Sequence, residues 1–236
     1  RSLKRILLQA YLVLLGAGEQ LAAEPEIGPA KADPYKTLVG YFNSLRELGG
    51  MRRIVDDDVY SRVRKSDQRM PHDARVGRAG HRWLAKRETG DPIELTSRVR
   101  TSHLTRDKAR LAAQFHEYAQ AKANHPDAAK PVDVVLASNM ISVGLDVTRL
   151  GLMVVAGQPK TTSEYIQATS RVGRDDARPG FVLTVYNVQK PRDRSHYEHF
   201  VAYHESFYRY VEAQSVTPFS LPALDRSLAS VVVGMV

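Results

Sequence analysis

Residues 134–174 read VVLASNMISVGLDVTRLGLMVVAGQPKTTSEYIQATSRVGR. Two apolar runs in this stretch frame a Gly-Leu-Asp turn, and a short helical segment that carries Arg171 and Arg174 follows them. Arginine is always charged and donates hydrogen bonds in a planar fork that matches phosphate geometry. A strand end, a carboxylate and two arginines in one compact unit therefore predict a surface that binds phosphates.

From the segment 24–34 onwards the sequence alternates between apolar strand candidates and helical segments. One helix is predicted from about Thr105 to Ala123, and another begins near Thr162, because Thr161 and Glu164 have the spacing of a capping box. Strands that are apolar throughout and separated by helices predict an α/β fold with a mostly parallel sheet covered on both faces. The predicted strands are residues 37–42, 93–97, 132–137, 152–156 and 181–187.

Composition is that of a globular protein with a basic surface. The chain has 236 residues, 43% of them hydrophobic, and a formal net charge of +8, which favours a polyanionic partner such as nucleic acid. It has no cysteine, so disulfides and thiolate metal sites are excluded. The apolar run at residues 6–15 is half the length that a bilayer crossing requires. We expect a buried lead-in helix there and no membrane partner.

Three regions follow from the pattern. Residues 1–35 combine the lead-in helix with a segment, 24–34, whose three prolines and one glycine predict a linker. Residues 36–190 form the main α/β domain, and residues 191–236 form a helical C-terminal extension. Because the chain begins without methionine, we expect it to be part of a longer protein.

Two features have open interpretations. The arginine-rich insertion at residues 51–90 is either a basic element that contacts a nucleic-acid backbone or an exposed insertion. Within it, residues 56–58 are three successive aspartates, which are predicted to form a solvated helix start and not a metal site. The aromatic residues spaced three or four apart in 196–214 favour core packing over base stacking.

Each residue of the phosphate-binding unit has a predicted role. Gln167 and Arg171 lie four residues apart and share a face of the predicted helix. Arg174 stays on the same side if the helix persists, or lies just beyond its end if Gly173 stops it. In this arrangement the guanidiniums of Arg171 and Arg174 can reach the same phosphate group. Gly144 allows a ligand to approach the backbone closely. Asp146 can accept hydrogen bonds from a ribose or orient an arginine, although it could instead only cap a turn.

Polar groups also follow the strand at 132–137. Ser138 and Asn139 offer a hydroxyl, an amide and backbone N–H groups to a phosphate. The sequence nevertheless has no G-x-x-x-x-G-K-[ST] phosphate loop and no acidic box after a strand to hold a metal ion. The nucleotide phosphates must therefore be held mainly by something other than this chain, and no metal ligands are predicted here.

These motifs together resemble the second RecA-like domain of superfamily 2 helicases and translocases. ASNMISVGLD matches the family's motif V, QATSRVGR its motif VI, and KTLVGYFNSLREL its motif IV, in the family's order and spacing. The resemblance covers residues 36 to about 187. Ala168 stands where many members carry arginine, and Val143 stands where some carry arginine, which weakens assignment to the RNA-specific branch.

The resemblance implies roles for individual residues. Arg171 and Arg174 would be arginine fingers that act on an ATP held, with Mg²⁺, mainly by an N-terminal RecA-like domain of the same polypeptide. Gly144 and Asp146 would contact this nucleotide, and Gln167 would lie near its phosphates.

The resemblance also implies a second set of residues that would contact nucleic acid. Ser44 and Ser138 would touch its backbone, with Asn139 beside them. DNA is favoured over RNA.

The full-length protein is thus expected to be a cytoplasmic ATP-dependent helicase or translocase, whereas this chain alone should be inactive. The segment GQPKTTSEYIQATSRVGR and the aromatic tail are similar to the helicase of the DISARM anti-phage defence system, which implies a defence-system partner protein. The alternatives are a RecA-like clamp that binds nucleic acid or protein without hydrolysis, and another nucleotide-binding α/β enzyme such as a sugar transferase. The latter predicts a glycine-rich strand-to-helix turn, which the sequence lacks.

Overall fold

A computed structural model describes residues 2–66, 84–99, 101–138 and 147–209, with isolated positions beyond residue 209. The β-strands in these ranges are β1 Leu38–Phe42, β2 Ile93–Leu95, β3 Val134–Ala137, β4 Leu152–Ala156 and β5 Phe181–Val185. The α-helices are α1 Leu3–Ala23, α2 Gly28–Ala32, α3 Leu45–Ile54, α4 Tyr60–Val63, α5 Thr101–Ala112, α6 Phe115–Asn124, α7 Thr162–Thr169, α8 Pro191–Glu198 and α9 Phe200–Glu205.

The five strands form one parallel sheet in the order β2-β3-β1-β4-β5. Each described residue of β1, β3 and β4 is buried, as expected for central strands whose two faces are both covered. The predicted α/β fold, a parallel sheet flanked by helices, is confirmed. So is a helical segment after β5, through α8 and α9.

Helices cover both faces of the sheet and form two apolar cores. On one face, α1 and α3 pack against β1, β3 and β4 through residues such as Tyr11, Leu15 and Met51. On the other face, α5 and α7 pack against the same strands, and Tyr203 and Phe207 of the C-terminal segment contact this core. Core packing of these two aromatic residues is therefore confirmed, while Phe200 and Tyr208 are exposed.

The buried lead-in helix is longer than the apolar run that predicted it. By length and composition α1 is apolar enough to cross a membrane. Its residues Leu7, Tyr11 and Leu15 are nevertheless buried against the sheet. The core helix of a globular domain meets the same criteria of length and apolar composition.

The helix predicted from Thr105 to Ala123 is two helices. Gln114 has an extended backbone (φ −93°, ψ 140°) between α5 and α6. The carboxylate of Asp33 accepts a hydrogen bond of 2.6 Å from the N–H of Phe115 at the start of α6. This buried acceptor lies 82 residues away in the sequence and fixes the break, which no local pattern marks.

The proline-containing segment predicted as a linker is packed and partly helical. It contains α2 and a 3₁₀ turn at Asp33–Tyr35, where Asp33 and Pro34 are buried. The buried guanidinium of Arg149 donates to the Asp33 carboxylate at 3.1 Å, to the Thr37 hydroxyl at 2.7 Å and to the Leu111 carbonyl at 2.6 Å. This ion pair ties the segment to the start of β1, the end of α5 and the approach to β4.

The arginine-rich insertion is described as far as residue 66 and again from residue 84. The three aspartates lie in a π-helical turn, Val55–Val59, inside a continuous helical stretch, so they do not begin a helix as predicted. Asp56 pairs with Arg52 and Asp58 with Arg62, each four residues away. Ion pairs at this spacing stabilise a helix.

Arg87, in the same insertion, has a structural role. Its side chain is buried and donates to Asp133 at 2.7 Å and to the Lys36 carbonyl at 2.6 Å. Its guanidinium therefore braces the starts of β1 and β3, and this arginine is not a surface contact for nucleic acid.

Loss of the Arg149 side chain should destabilise the chain strongly. Arg149→Met leaves the Asp33 carboxylate buried without its cation, so we expect the free energy of unfolding to fall by about 3–5 kcal/mol. Equilibrium denaturation of the purified chain measures this change.

Arg194→Ala is the control, because it breaks the exposed pair between Arg194 and Glu198 and should cost less than about 1 kcal/mol. Equal losses in the two variants would show that the buried pair is not a principal constraint on the fold.

Candidate functional site

The two arginines of the phosphate-binding unit lie in a turn after α7 and not on the helix. The N–H groups of Arg171 and Val172 bond to carbonyls three residues earlier, at Ala168 and Thr169, so the helix tightens and ends. The prediction that Gln167 and Arg171 share a helical face is therefore wrong. Gln167 is exposed on the last turn of α7, Arg171 is half-buried and Arg174 is exposed.

Gly173 gives this turn its shape. Its φ is +70°, a conformation that residues other than glycine rarely adopt. Its N–H donates to the Leu150 carbonyl at 2.8 Å. A methyl group at Gly173 would lie 2.5 Å from the backbone nitrogen of Gly180. The backbone just before Arg174 is therefore packed directly against the chain that enters β5.

The arginine turn lies at the amino edge of the sheet. Leu150 precedes β4, and the N–H of Phe181, the first residue of β5, donates to the Gly151 carbonyl at 2.8 Å. The α7 helix thus begins beside the carboxyl end of β4 and returns the chain to the opposite edge. Here the Nε of Arg174 donates to the Ser170 carbonyl at 3.0 Å, which holds the stem of this side chain against the end of α7.

Ser44 and Ser138 lie at the other, carboxyl edge of the sheet. Ser44 follows β1 and is exposed, and its hydroxyl accepts a hydrogen bond of 3.3 Å from the N–H of Glu47 as the N-cap of α3. Ser138 follows β3 and is buried, and its N–H donates to the Leu95 carbonyl at 3.2 Å. The structure thus separates the predicted unit into two groups, one at each edge of the sheet.

Three of the predicted site residues, Asn139, Gly144 and Asp146, lie outside the described residues. They belong to the connection from the carboxyl end of β3 to Arg149, which precedes β4 at the amino edge. This connection therefore begins at the edge of Ser138 and ends at the edge of the arginine turn.

The start of α7 predicted from Thr161 and Glu164 is confirmed, and Glu164 does more than help to cap the helix. Thr161 accepts from the Glu164 N–H at 3.1 Å, while Glu164 accepts from the Lys160 N–H at 3.2 Å and from the Tyr41 hydroxyl at 2.6 Å. Burial and the Glu164 carboxylate both raise the pKa of Tyr41, so the phenol stays a donor. This bond ties α7, and hence the arginine turn beyond it, to the central strand.

Sequence reasoning missed a polar cluster at the carboxyl edge. The amide of Asn43 donates to the carbonyls of Ala156, Gly157 and Gln158 at 3.2, 3.3 and 3.2 Å. The fully buried Asp193 of α8 accepts from the N–H groups of Gln158 and Asn187 at 3.2 and 2.8 Å. These groups join the ends of β1, β4 and β5 to the C-terminal helices. The available signal was Asn43, a polar residue directly after β1.

The chemistry of the amino edge suits an anion. In the part of the chain that the structure describes, no group of three or more His, Cys, Asp or Glu side chains could hold a metal ion. Arg171 and Arg174 supply positive charge on a backbone fixed by the Gly173 contacts. Such cations can bind a phosphate group, whereas Mg²⁺ would require carboxylate ligands from elsewhere.

Replacement of Gly173 should distort this turn. Gly173→Ala adds a disfavoured φ, which costs about 1–2 kcal/mol, and a clash with Gly180 that costs about 1 kcal/mol or more. The expected total loss in the free energy of unfolding, measured by equilibrium denaturation, is about 2–4 kcal/mol.

Two glycine variants separate these contributions. Gly28→Ala has the same kind of φ, +73°, with open space around the methyl group, so it reports the backbone cost alone. Gly50→Ala, inside α3 with open space, should stabilise by up to about 1 kcal/mol. A loss for Gly173→Ala no greater than that for Gly28→Ala would refute the close contact with Gly180.

Comparisons with known proteins match this part of the chain to helicases. Residues 101–176, from α5 to just past the arginine turn, match the family described as the helicase conserved C-terminal domain. The structure of Mycobacterium smegmatis helicase Lhr bound to ssDNA and AMP-PNP aligns with 77% of this chain and 18% of that chain, with 14% identity and a TM-score of 0.42.

The DISARM protein DrmA of Bacillus paralicheniformis is 43% identical over 234 residues. The alignment covers 99% of this chain but spans only 19% of the length of that relative. Residues 101–176 thus match a helicase conserved C-terminal domain, and the chain is similar over nearly all of its length to a DISARM protein.

Proposed function

We propose that the full-length protein is an ATP-dependent nucleic-acid helicase or translocase, and that this chain supplies Arg171 and Arg174 as arginine fingers. The ATP would be held by an N-terminal RecA-like domain of the same polypeptide, since this chain lacks a phosphate loop. The observation that carries the proposal is the hydrogen-bonded turn that bears both arginines at one edge of the sheet, inside the region that matches the helicase family.

The two arginines would act by electrostatic stabilisation. Negative charge on the transferred phosphoryl group is redistributed as the bond to it breaks, and a guanidinium fixed beside it stabilises the transition state. The fixed backbone at Gly173 limits the reorganisation needed when the domains close. Mg²⁺, held mainly by the other domain, would supply neutralising charge to the phosphates. Gln167, exposed one turn before the arginines, would lie near the same phosphates.

The remaining nucleotide contacts are proposed from the family resemblance. Gly144 would let the nucleotide approach the backbone, and Asp146 would accept hydrogen bonds from it. Both precede Arg149 in the connection that ends at the amino edge, which is the edge of the arginine turn.

Nucleic acid would bind at the opposite, carboxyl edge. Ser44 is exposed there as a helix cap, and Ser138 ends the neighbouring strand β3, with Asn139 after it. The net charge of +8 supports a polyanionic partner, and we propose DNA as the preferred one. The nucleotide and the nucleic acid would thus bind at opposite edges of the sheet.

The similarity to DrmA supports a biological role in DISARM anti-phage defence. We propose that the protein acts there in the cytoplasm together with a further protein of the defence system.

Removal of either finger should nearly abolish ATP hydrolysis. In the full-length protein, we expect Arg171→Ala and Arg174→Ala each to lower kcat about a thousandfold, because the guanidinium acts mainly on the transition state. The affinity for ATP, measured by equilibrium binding, should stay within about threefold of the wild-type value.

Arg5→Ala, an exposed arginine of α1, is the matched control and should leave kcat unchanged. Near-wild-type turnover in both finger variants would refute the arginine-finger assignment. If the unmodified full-length protein binds nucleic acid but never hydrolyses ATP, the alternative function of a non-hydrolysing clamp is correct.

The purified 236-residue chain should not hydrolyse ATP by itself. A phosphate-release assay with ATP, Mg²⁺ and single-stranded DNA should give the same rate as a sample without protein. Measurable turnover that is lost in the Arg171→Ala chain would show that this chain holds a complete ATPase site, contrary to the proposal.

A further inference from the structure

We propose that Tyr35 and the pair Asp175–Arg178 are positioning residues that hold the arginine turn in its active geometry. This inference rests on the proposed function and deepens it. None of the three belongs to the motif QATSRVGR that carries the resemblance to helicases, and none needs to touch the nucleotide. They act by fixing the backbone that carries Arg171 and Arg174.

Asp175 and Arg178 close the chain directly after Arg174 into a tight turn. The Asp175 carboxylate accepts from Arg178 Nε at 2.6 Å and from the Ala177 N–H at 3.0 Å. The Arg178 N–H donates to the Asp175 carbonyl at 3.0 Å. The Ala177 N–H and the Arg178 guanidinium both lower the pKa of Asp175, so this carboxylate remains charged at neutral pH.

Tyr35 fastens the far end of this turn to the segment that leads into the central strand β1. Its hydroxyl donates to the Pro179 carbonyl at 2.8 Å, although the two residues are 144 positions apart. The backbone of the same segment is held in turn, because the Gly151 N–H donates to the Pro34 carbonyl at 2.9 Å. Arg178 also reaches the Ala30 carbonyl, at 3.5 Å.

These contacts restrain the exit of the turn, which the Gly173 contacts do not reach. Gly173 is fixed by Leu150 and Gly180, but residues 174–179 have no strand or helix to hold them. A guanidinium displaced by about 1 Å from a transferring phosphoryl group can lose about a hundredfold in rate. A purely structural role would instead affect only unfolding.

The test is the ATPase of the full-length protein, with kcat and the equilibrium affinity for ATP measured separately. Tyr35→Phe removes one hydrogen bond and should lower kcat about three- to tenfold. Asp175→Ala removes the whole clamp and should lower kcat about tenfold or more, while the affinity for ATP stays within about twofold.

Conservative and double variants separate positioning from a general loss of stability. Asp175→Asn keeps an acceptor for the Ala177 N–H and should retain more activity than Asp175→Ala. Arg178→Ala should add little to the defect of Asp175→Ala, because both remove the same contact. Tyr60→Phe, an exposed tyrosine of α4, is the matched control and should leave kcat unchanged.

Arg171→Ala measured in parallel tells the two proposals apart. If Arg171→Ala is inactive while Tyr35→Phe and Asp175→Ala keep wild-type kcat, the positioning role is refuted and the arginine fingers stand. If Arg171→Ala keeps wild-type turnover, the proposed function fails and this inference fails with it. A lowered kcat with unchanged ATP affinity in both Tyr35→Phe and Asp175→Ala supports the positioning role.

Discussion

The buried ion pair between Arg149 and Asp33 is the constraint on which the amino edge of this sheet depends. Two charges removed from water are costly unless hydrogen bonds satisfy them, and here the guanidinium also binds the Thr37 hydroxyl and the Leu111 carbonyl. Burial lowers the pKa of Arg149, and the Asp33 carboxylate opposes that shift. The pair therefore holds three separate segments in one arrangement: the residues before β1, the end of α5 and the approach to β4.

The residues after Arg149 extend this constraint to the arginine turn. The Leu150 carbonyl binds the Gly173 N–H, and Gly151 joins the start of β5 to the backbone of Pro34. Leu150 and Gly151 thus join the chain that carries the proposed fingers to the segments that Arg149 holds. The connection that contains Gly144 and Asp146 leads into the same three residues.

Much of the fold could be predicted because its causes are local. Apolar runs gave all five strands to within two residues at each end, and Thr161 with Glu164 gave the start of α7. The break before Phe115 could not be predicted, since its cause is Asp33, 82 residues away. For the same reason the sequence did not indicate that Arg87 is buried against Asp133. The sequence also did not indicate that the arginines and Ser138 lie at opposite edges of the sheet. Their separation depends on the direction of the strands and on the return of the chain along α7.

The most direct test of the central claim is a structure of the full-length protein with ADP and a metal fluoride that mimics the transferred phosphoryl group. The account predicts that the nucleotide is bound to another domain, and that the Arg171 and Arg174 guanidiniums lie within hydrogen-bonding distance of the fluoride. The claim would be contradicted if the domains close on the nucleotide while both guanidiniums face away from it, or if the nucleotide lies at the edge of Ser44 and Ser138.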